Sequence, residues 1–200
     1  MIRVVIFDLG NVLIHYDLRK AARRFSKACG VPMIRMWLHF LTSPSEKDYA
    51  RGKISSKEFY RQARQALGFK TSYPDFRRHW NDIFWENEGM EALLRRLKKR
   101  YPLYLISNTN RMHYEYLKKR YPLLRHFKIK FASHEVGHAK PDPEIYRKAL
   151  EKIGCRPGEA VFIDDNPGFV RGARRAGMHA LRFKSLERLT GALQRLGVCF

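Results

Sequence analysis

Acidic side chains are scarce in this 200-residue chain: 19 Asp and Glu stand against 40 Lys and Arg, for a formal charge of +21 and a pI near 10.3. Cysteine is scarcer still. Cys29, Cys155 and Cys199 are scattered and odd in number, without the paired spacing of a metal site or a disulfide framework. That usage fits a reducing compartment, and a cytoplasmic protein is expected. No apolar run approaches the roughly 18 residues of a membrane-spanning helix, and Met1 leads into a strand rather than a charged leader, so neither export nor a membrane partner is expected. Internal repeats and low-complexity segments are also missing. What remains is a chain that is 44% hydrophobic with aromatics throughout, enough to bury a core.

The positive charge gathers in clusters such as Arg95-Arg96-Leu97-Lys98-Lys99-Arg100 and Lys118-Lys119-Arg120. A field of this sign steers anions. Most clusters, however, fall on the polar faces or ends of expected helices, where solvated basic side chains are ordinary. No helix-turn-helix, zinc-finger or RNA-recognition signature accompanies them, which argues against nucleic acid as a partner.

Hydrophobic periodicity divides the chain. Val4-Val5-Ile6-Phe7 reads as a strand covered on both faces, and from about residue 17 to 88 only helices are expected. Asp17 caps the first, over Leu18 to Ala28, which Cys29-Gly30 stops. A second follows Pro32 with Ile34, Trp37, Leu38 and Leu41 on one face. Ser55 and Glu58 form a capping-box pattern for the third, and Pro74 opens the fourth, whose Phe76, Trp80, Ile83 and Phe84 belong to a core. Beyond Glu88, strands near 103–106, 129–132, 160–163 and 180–183 alternate with helices. Such alternation predicts an α/β fold with a parallel sheet covered on both faces. The division is a core of residues 1–16 and 88–200 with a helical insertion, residues 17–87, placed where a lid over an active site would sit.

Ligands of open α/β sheets gather at the carboxyl ends of the strands. There the sequence sets Asp8, followed by Leu9-Gly10, as a place for a nucleophile. Ser107 and Asn108 end the second core strand just before a helix whose N-terminus favours anions. Lys140 lies in the rigid turn Ala139-Lys140-Pro141-Asp142-Pro143, a suitable counter-charge for a carboxylate and a phosphoryl group. Asp164 and Asp165 end another strand together, and adjacent acids call for a hard divalent cation.

In this order and placement, Asp8, Ser107, Lys140 and Asp164-Asp165 resemble the four motifs of the haloacid dehalogenase superfamily of hydrolases, over essentially the whole chain. FDLGNVL, ISNTN, KPDPEIY and FIDDN are most similar to the subgroup containing α-glucose-1-phosphatase and the phosphatase domain of soluble epoxide hydrolases. The resemblance implies a Rossmann-like three-layer core with an inserted α-helical cap, and Mg²⁺-dependent hydrolysis of a small phosphorylated substrate through an aspartyl-phosphate. It assigns Asp8 as nucleophile and metal ligand, the Gly10 carbonyl and Asp165 as further ligands, and Asp164 as a supporting or alternate one. Ser107, Asn108 and Lys140 hold the phosphate oxygens.

Two positions depart from the family pattern. Gly10 stands where most phosphatases of this family carry an acid-base Asp, a group worth about 10²–10⁴ in rate. That predicts a preference for leaving oxygens that depart easily, as in anomeric or aryl phosphates; His15 reads as a linker residue. Phe169 stands where Asp or Asn commonly supports the metal site. The competing readings are a metal-free 2-haloacid dehalogenase, and a catalytically weak protein of the same fold that binds anions or nucleic acid.

Overall fold

The computed structural model describes residues 1–200, with the side chain of Cys29 outside the description. The chain begins with strands β1 (Val4–Phe7) and β2 (Ile14–Tyr16). Helices α1 (Leu18–Cys29), α2 (Met33–Thr42), α3 (Pro44–Ala50), α4 (Ser56–Leu67) and α5 (Tyr73–Asn81) follow, then strand β3 (Phe84–Glu86). Helix α6 (Met90–Leu97) leads into β4 (Leu103–Ser107), α7 (Arg111–Arg120), β5 (Ile129–Ala132), the short α8 (Ser133–Val136) and α9 (Pro143–Ile153). The chain then passes through β6 (Ala160–Asp164), α10 (Pro167–Arg175), β7 (His179–Arg182) and α11 (Leu186–Arg195).

Five strands form one parallel sheet in the order β5-β4-β1-β6-β7. Along β1 the side chains alternate between two cores, as the pleat requires. Val5 and Phe7 join Leu103, Leu105, Val161 and Ile163 under α6, α7 and α11, while Val4 and Ile6 join Tyr104, Ile106 and Phe162 under α9 and α10. This is the expected three-layer α/β core. The chain builds outward from β1 to one side through β4 and β5, and then to the other through β6 and β7. The crevice at such a reversal is where an open sheet binds its ligand.

Helix termini follow the expected signals. Asp17 accepts from the Arg19 N–H to open α1, and Gly30 closes that helix in left-handed backbone at φ 68°. Ser55 accepts from the Glu58 N–H, but the Glu58 carboxylate turns to Arg61 and Gln62, so only half of the capping box forms.

Three features of the insertion differ from expectation. The stretch expected to be strandless contains β3, which pairs antiparallel with β2 and makes a ribbon at the root of the insertion. Helix α3, opened by Ser43 and Pro44, has too short a sequence period to stand out. Helix α2 turns its expected inner face outward: Ile34, Leu38 and Leu41 are 62%, 51% and 47% exposed, and Met36 and Phe40 are buried instead. Apolar residues surround this helix, so periodicity alone does not select a face.

The helices of the insertion share their own aromatic core, centred on Phe25, Phe59, Phe76 and Trp80 and reaching Met112 of α7. Hydrogen bonds fasten it to the sheet domain. The Tyr49 hydroxyl accepts from the Met112 N–H at 2.9 Å, and the Ser133 hydroxyl donates to the Ala50 carbonyl at 2.7 Å. Gly52, at φ 72°, lets the α3–α4 turn lie against the His134 carbonyl, which an added Cβ would meet at 2.0 Å.

Candidate active site

Sheet register assembles the site. Phe7 lies opposite both Leu105 and Ile163, so Asp8 and Asp164, one residue further, and Ser107, two further, emerge at the same edge. The Asp8 N–H continues the ladder by donating to the Ile163 carbonyl at 2.8 Å.

Lys140 comes from the turn before α9 and is completely buried at its side chain. Its Nζ lies 2.7 Å from Asp8 Oδ1 and 2.6 Å from Asp164 Oδ2. The rings of Phe162 and Phe169 cover it at 5.3 and 5.1 Å. Phe169 thus supplies an aromatic face to the lysine. Asn108 fixes the turn that delivers Lys140: its Oδ1 accepts from the Lys140 N–H at 2.7 Å, and its Nδ2 donates to the Lys140 carbonyl at 2.8 Å. The Asn108 side chain is therefore engaged with Lys140 at both ends.

The two adjacent aspartates are divided. Asp164 is fully buried, facing Lys140 and accepting from the Asn166 N–H at 2.8 Å. Asp165 is half-buried and lines a cavity of about 350 Å³ shared with Asp8, Gly10, Ser107 and Asn108. Asn11, in left-handed backbone at φ 54°, belongs to the neighbouring loop, and its side chain opposes the rise of the Asp165 carboxyl.

Burial pushes the Asp8 carboxyl upward, Lys140 opposes the shift, and Asp164 adds to it. Burial and then the Asp164 charge raise Asp165 in the same way. Oxygens of Asp8, Asp164 and Asp165 lie within 4.8 Å of one another. One ammonium does not balance three carboxylates, and an all-oxygen donor set of this kind fits a hard divalent cation. The Ser107 hydroxyl, 2% exposed and without a protein hydrogen bond among the described residues, lies on the same wall.

Gly10 needs its missing side chain. A Cβ there would meet Tyr16 Cε1 at 2.8 Å, so the Tyr16 ring fills the space a larger residue 10 would occupy. His15 points away and packs on Trp85, with ring centroids 5.7 Å apart. Tyr16 carries no motif signal. The inward-outward alternation Ile14, His15, Tyr16 along a strand was the available clue. The insertion contributes Phe40, Glu46 and Trp80 to the upper wall, joined by Phe84 and by His113 of α7. The His113 ring stacks on Trp80 at 5.1 Å and its Nδ1 donates to Asn81 Oδ1 at 3.1 Å, while burial holds its pKa down to about 3.

A buried lysine between two aspartates at the carboxyl ends of central parallel strands, beneath a cavity roofed by an inserted helical unit, defines a hydrolase class. The sequence model of haloacid dehalogenase-like hydrolases matches residues 2–177, and the chain belongs to that family. It is similar to a D-ribitol-5-phosphate phosphatase of Bacteroides thetaiotaomicron, 25% identical over 190 residues that cover 91% of this chain and 92% of the relative. A phosphorylated carbohydrates phosphatase of Thermotoga maritima is 26% identical over 205 residues, covering 96% and 86% of the two chains. A solved structure of a family enzyme from Bacteroides thetaiotaomicron, in complex with magnesium and inorganic phosphate, superposes with a TM-score of 0.84 at 27% identity, covering 93% of this chain and 96% of that one.

Proposed function

We propose that the chain, a family hydrolase of the phosphatase type, is a Mg²⁺-dependent phosphomonoester hydrolase of small phosphorylated metabolites, with residues 17–87 as its cap. The observation that carries this reading is Asp8: it lines the cavity while Lys140 balances one of its oxygens from below. An Asp8 oxygen forms a bond to phosphorus as the ester P–O bond breaks, and the alcohol leaves with a proton from solvent. Water then attacks phosphorus, releasing inorganic phosphate and restoring the carboxylate. Ser107 and the backbone N–H of Asn108 hold phosphate oxygens, and Lys140 compensates Asp8 and the phosphoryl charge. Asp8, Asp165 and the Gly10 carbonyl are the metal-holding groups, with Asp164 supporting them through Lys140. Bound Mg²⁺ supplies charge neutralisation at the transferring phosphoryl group.

The relatives that act on ribitol 5-phosphate and on phosphorylated carbohydrates support a sugar or polyol phosphate as substrate. The test is hydrolysis of p-nitrophenyl phosphate with Mg²⁺ and with chelator, in wild type and Asp8→Asn. Activity that needs Mg²⁺ and falls by roughly 10⁴-fold or more in Asp8→Asn is expected. Turnover of a 2-haloacid without metal would replace the reading with the dehalogenase, and salt-sensitive RNA binding without turnover would replace it with a binding protein.

A further inference from the structure

Although the chain has 40 Lys and Arg, none of them lines the active-site cavity, whose charged lining residues are Asp8, Asp165 and Glu46. The two aspartates belong to the floor, where phosphate and metal chemistry is placed. Glu46 belongs to α3 of the insertion, on the side that faces a leaving group. The lining imidazole, His113, is neutral near pH 7, because burial holds it at a pKa of about 3. No cation of the lining therefore meets a leaving group.

Glu46 stands apart from the paired acids of its segment and from Glu86, which is exposed to solvent. Asp17, Asp48, Glu58, Asp75 and Asp82 each pair with an Arg or Lys. Glu46 is half-buried and its carboxylate makes no hydrogen bond or ion pair among the described residues; burial raises its pKa, and the charge of Lys47, which is not part of the cavity lining, opposes the rise. Its charge reaches Tyr16 on the same wall. The indole N–H of Trp80, another lining residue, is buried without a protein partner. A buried N–H without a partner is costly unless something else completes it, and the Glu46 carboxylate is free to accept from a bound group.

Resting on the phosphatase reading, we propose that Glu46 reads the charge of the leaving group: it accepts hydrogen bonds from hydroxyl or ammonium groups and turns away esters whose leaving group carries a carboxylate or a second phosphate. The substrate class is then a phosphate ester of a neutral polyol or sugar, or of an amino sugar. Tyr16, Phe40, Trp80 and Phe84 offer apolar ring faces to its C–H groups. A cavity of about 350 Å³ suits a leaving group of monosaccharide size.

The decisive pair is glucitol 6-phosphate and 6-phosphogluconate, which differ at the far end by a hydroxymethyl against a carboxylate. Wild type is expected to favour glucitol 6-phosphate in kcat/KM, chiefly through KM. Glu46→Gln should narrow that ratio by roughly ten- to thirtyfold, and Glu46→Lys should narrow it further or reverse it. Glucosamine 6-phosphate against glucose 6-phosphate separates the two donors: faster turnover of the amino sugar assigns ammonium, and equal turnover assigns hydroxyl. The same ratio is read by calorimetric binding to Asp8→Asn protein with Mg²⁺, where no turnover is needed. Failure of wild type to hydrolyse p-nitrophenyl phosphate sinks the phosphatase reading alone, since binding still decides Glu46. A ratio that neither Glu46 variant moves, or a wild-type preference for 6-phosphogluconate, overturns the proposal.

Discussion

The floor and the roof of the cavity are held by different forces. On the floor, residues 8, 107, 140 and 164 come from distant parts of the chain, and strand register with a buried ammonium between two carboxylates fixes them. Moving Asp8, Lys140 or Asp164 leaves a charge unpaired in a dry interior. The roof rests on an aromatic cluster and a few hydrogen bonds to α7 and α8, and the one carboxylate it turns to the cavity, Glu46, has no ion pair. On the proposed function, the chemistry sits where displacement is most costly. Selection of the leaving group falls, on the same proposal, to the roof, where a single substitution changes little else.

Lys140→Ala tests the floor most severely. Two buried carboxylates lose their cation, so a destabilisation of about 3 to 5 kcal/mol is expected together with a 10²- to 10³-fold loss in kcat/KM. Thermal melts with and without Mg²⁺ check the first part, and the metal should stabilise the variant more than wild type. A variant that melts and turns over like wild type would mean that the floor does not depend on Lys140.

Gly52→Ala addresses the seam between roof and floor. Its Cβ would sit 2.0 Å from the His134 carbonyl in left-handed backbone, so the α3–α4 turn must lift. The expected cost is about 1 to 3 kcal/mol in stability. KM should rise by roughly tenfold with a smaller change in kcat, because the roof contacts the leaving group more than the phosphate. An unchanged KM would show that the roof's position is set elsewhere.

A gain rather than a loss is expected at the Gly10–Tyr16 contact. Gly10→Asp alone gains little, because the new Cβ meets Tyr16 Cε1 at 2.8 Å. Combined with Tyr16→Ala it should gain up to about 10²-fold on phosphates of simple alcohols, and much less on aryl phosphates whose leaving oxygen needs no proton. A full gain from Gly10→Asp by itself would show that Tyr16 yields freely.

A pH slope is expected from His113 of α7, which stacks on Trp80 of the roof. His113 stays neutral when folded, with its pKa lowered by burial from 6.5 to about 3, whereas the unfolded chain protonates near 6.5. Its contribution to stability is fully present above 6.5 and is lost as pH falls toward 3, at about 1.4 kcal/mol per pH unit. His113→Gln should flatten the loss of stability measured by denaturant between neutral pH and about pH 5. An unaltered slope would place the titration on other groups.

Much of the molecule was legible in its amino acids, because the signals are local. Apolar runs marked β1, β4, β5 and β6, and Asp17, Ser55, Asp142 and Ser185 each cap a helix through their own side chains. The strand-end residues Asp8, Ser107, Asp164 and Asp165 stood out because a polar group directly after a buried strand must emerge at the sheet edge. Tertiary structure decided what depends on partners remote in sequence. It turned Met36 and Phe40 rather than Ile34 and Leu38 inward, since an all-round apolar helix takes its inner face from its neighbours. Pairing of β2 with β3 sent Tyr16 over Gly10 and His15 away. Packing buried Lys140 beneath Asp8, engaged Asn108 with the lysine's backbone, and left Glu46 facing the cavity without a partner. A sequence specifies which groups are charged and where its elements start and stop. Which charges meet is a property of the packed chain, because desolvation and pairing act only once distant segments exclude water from one another.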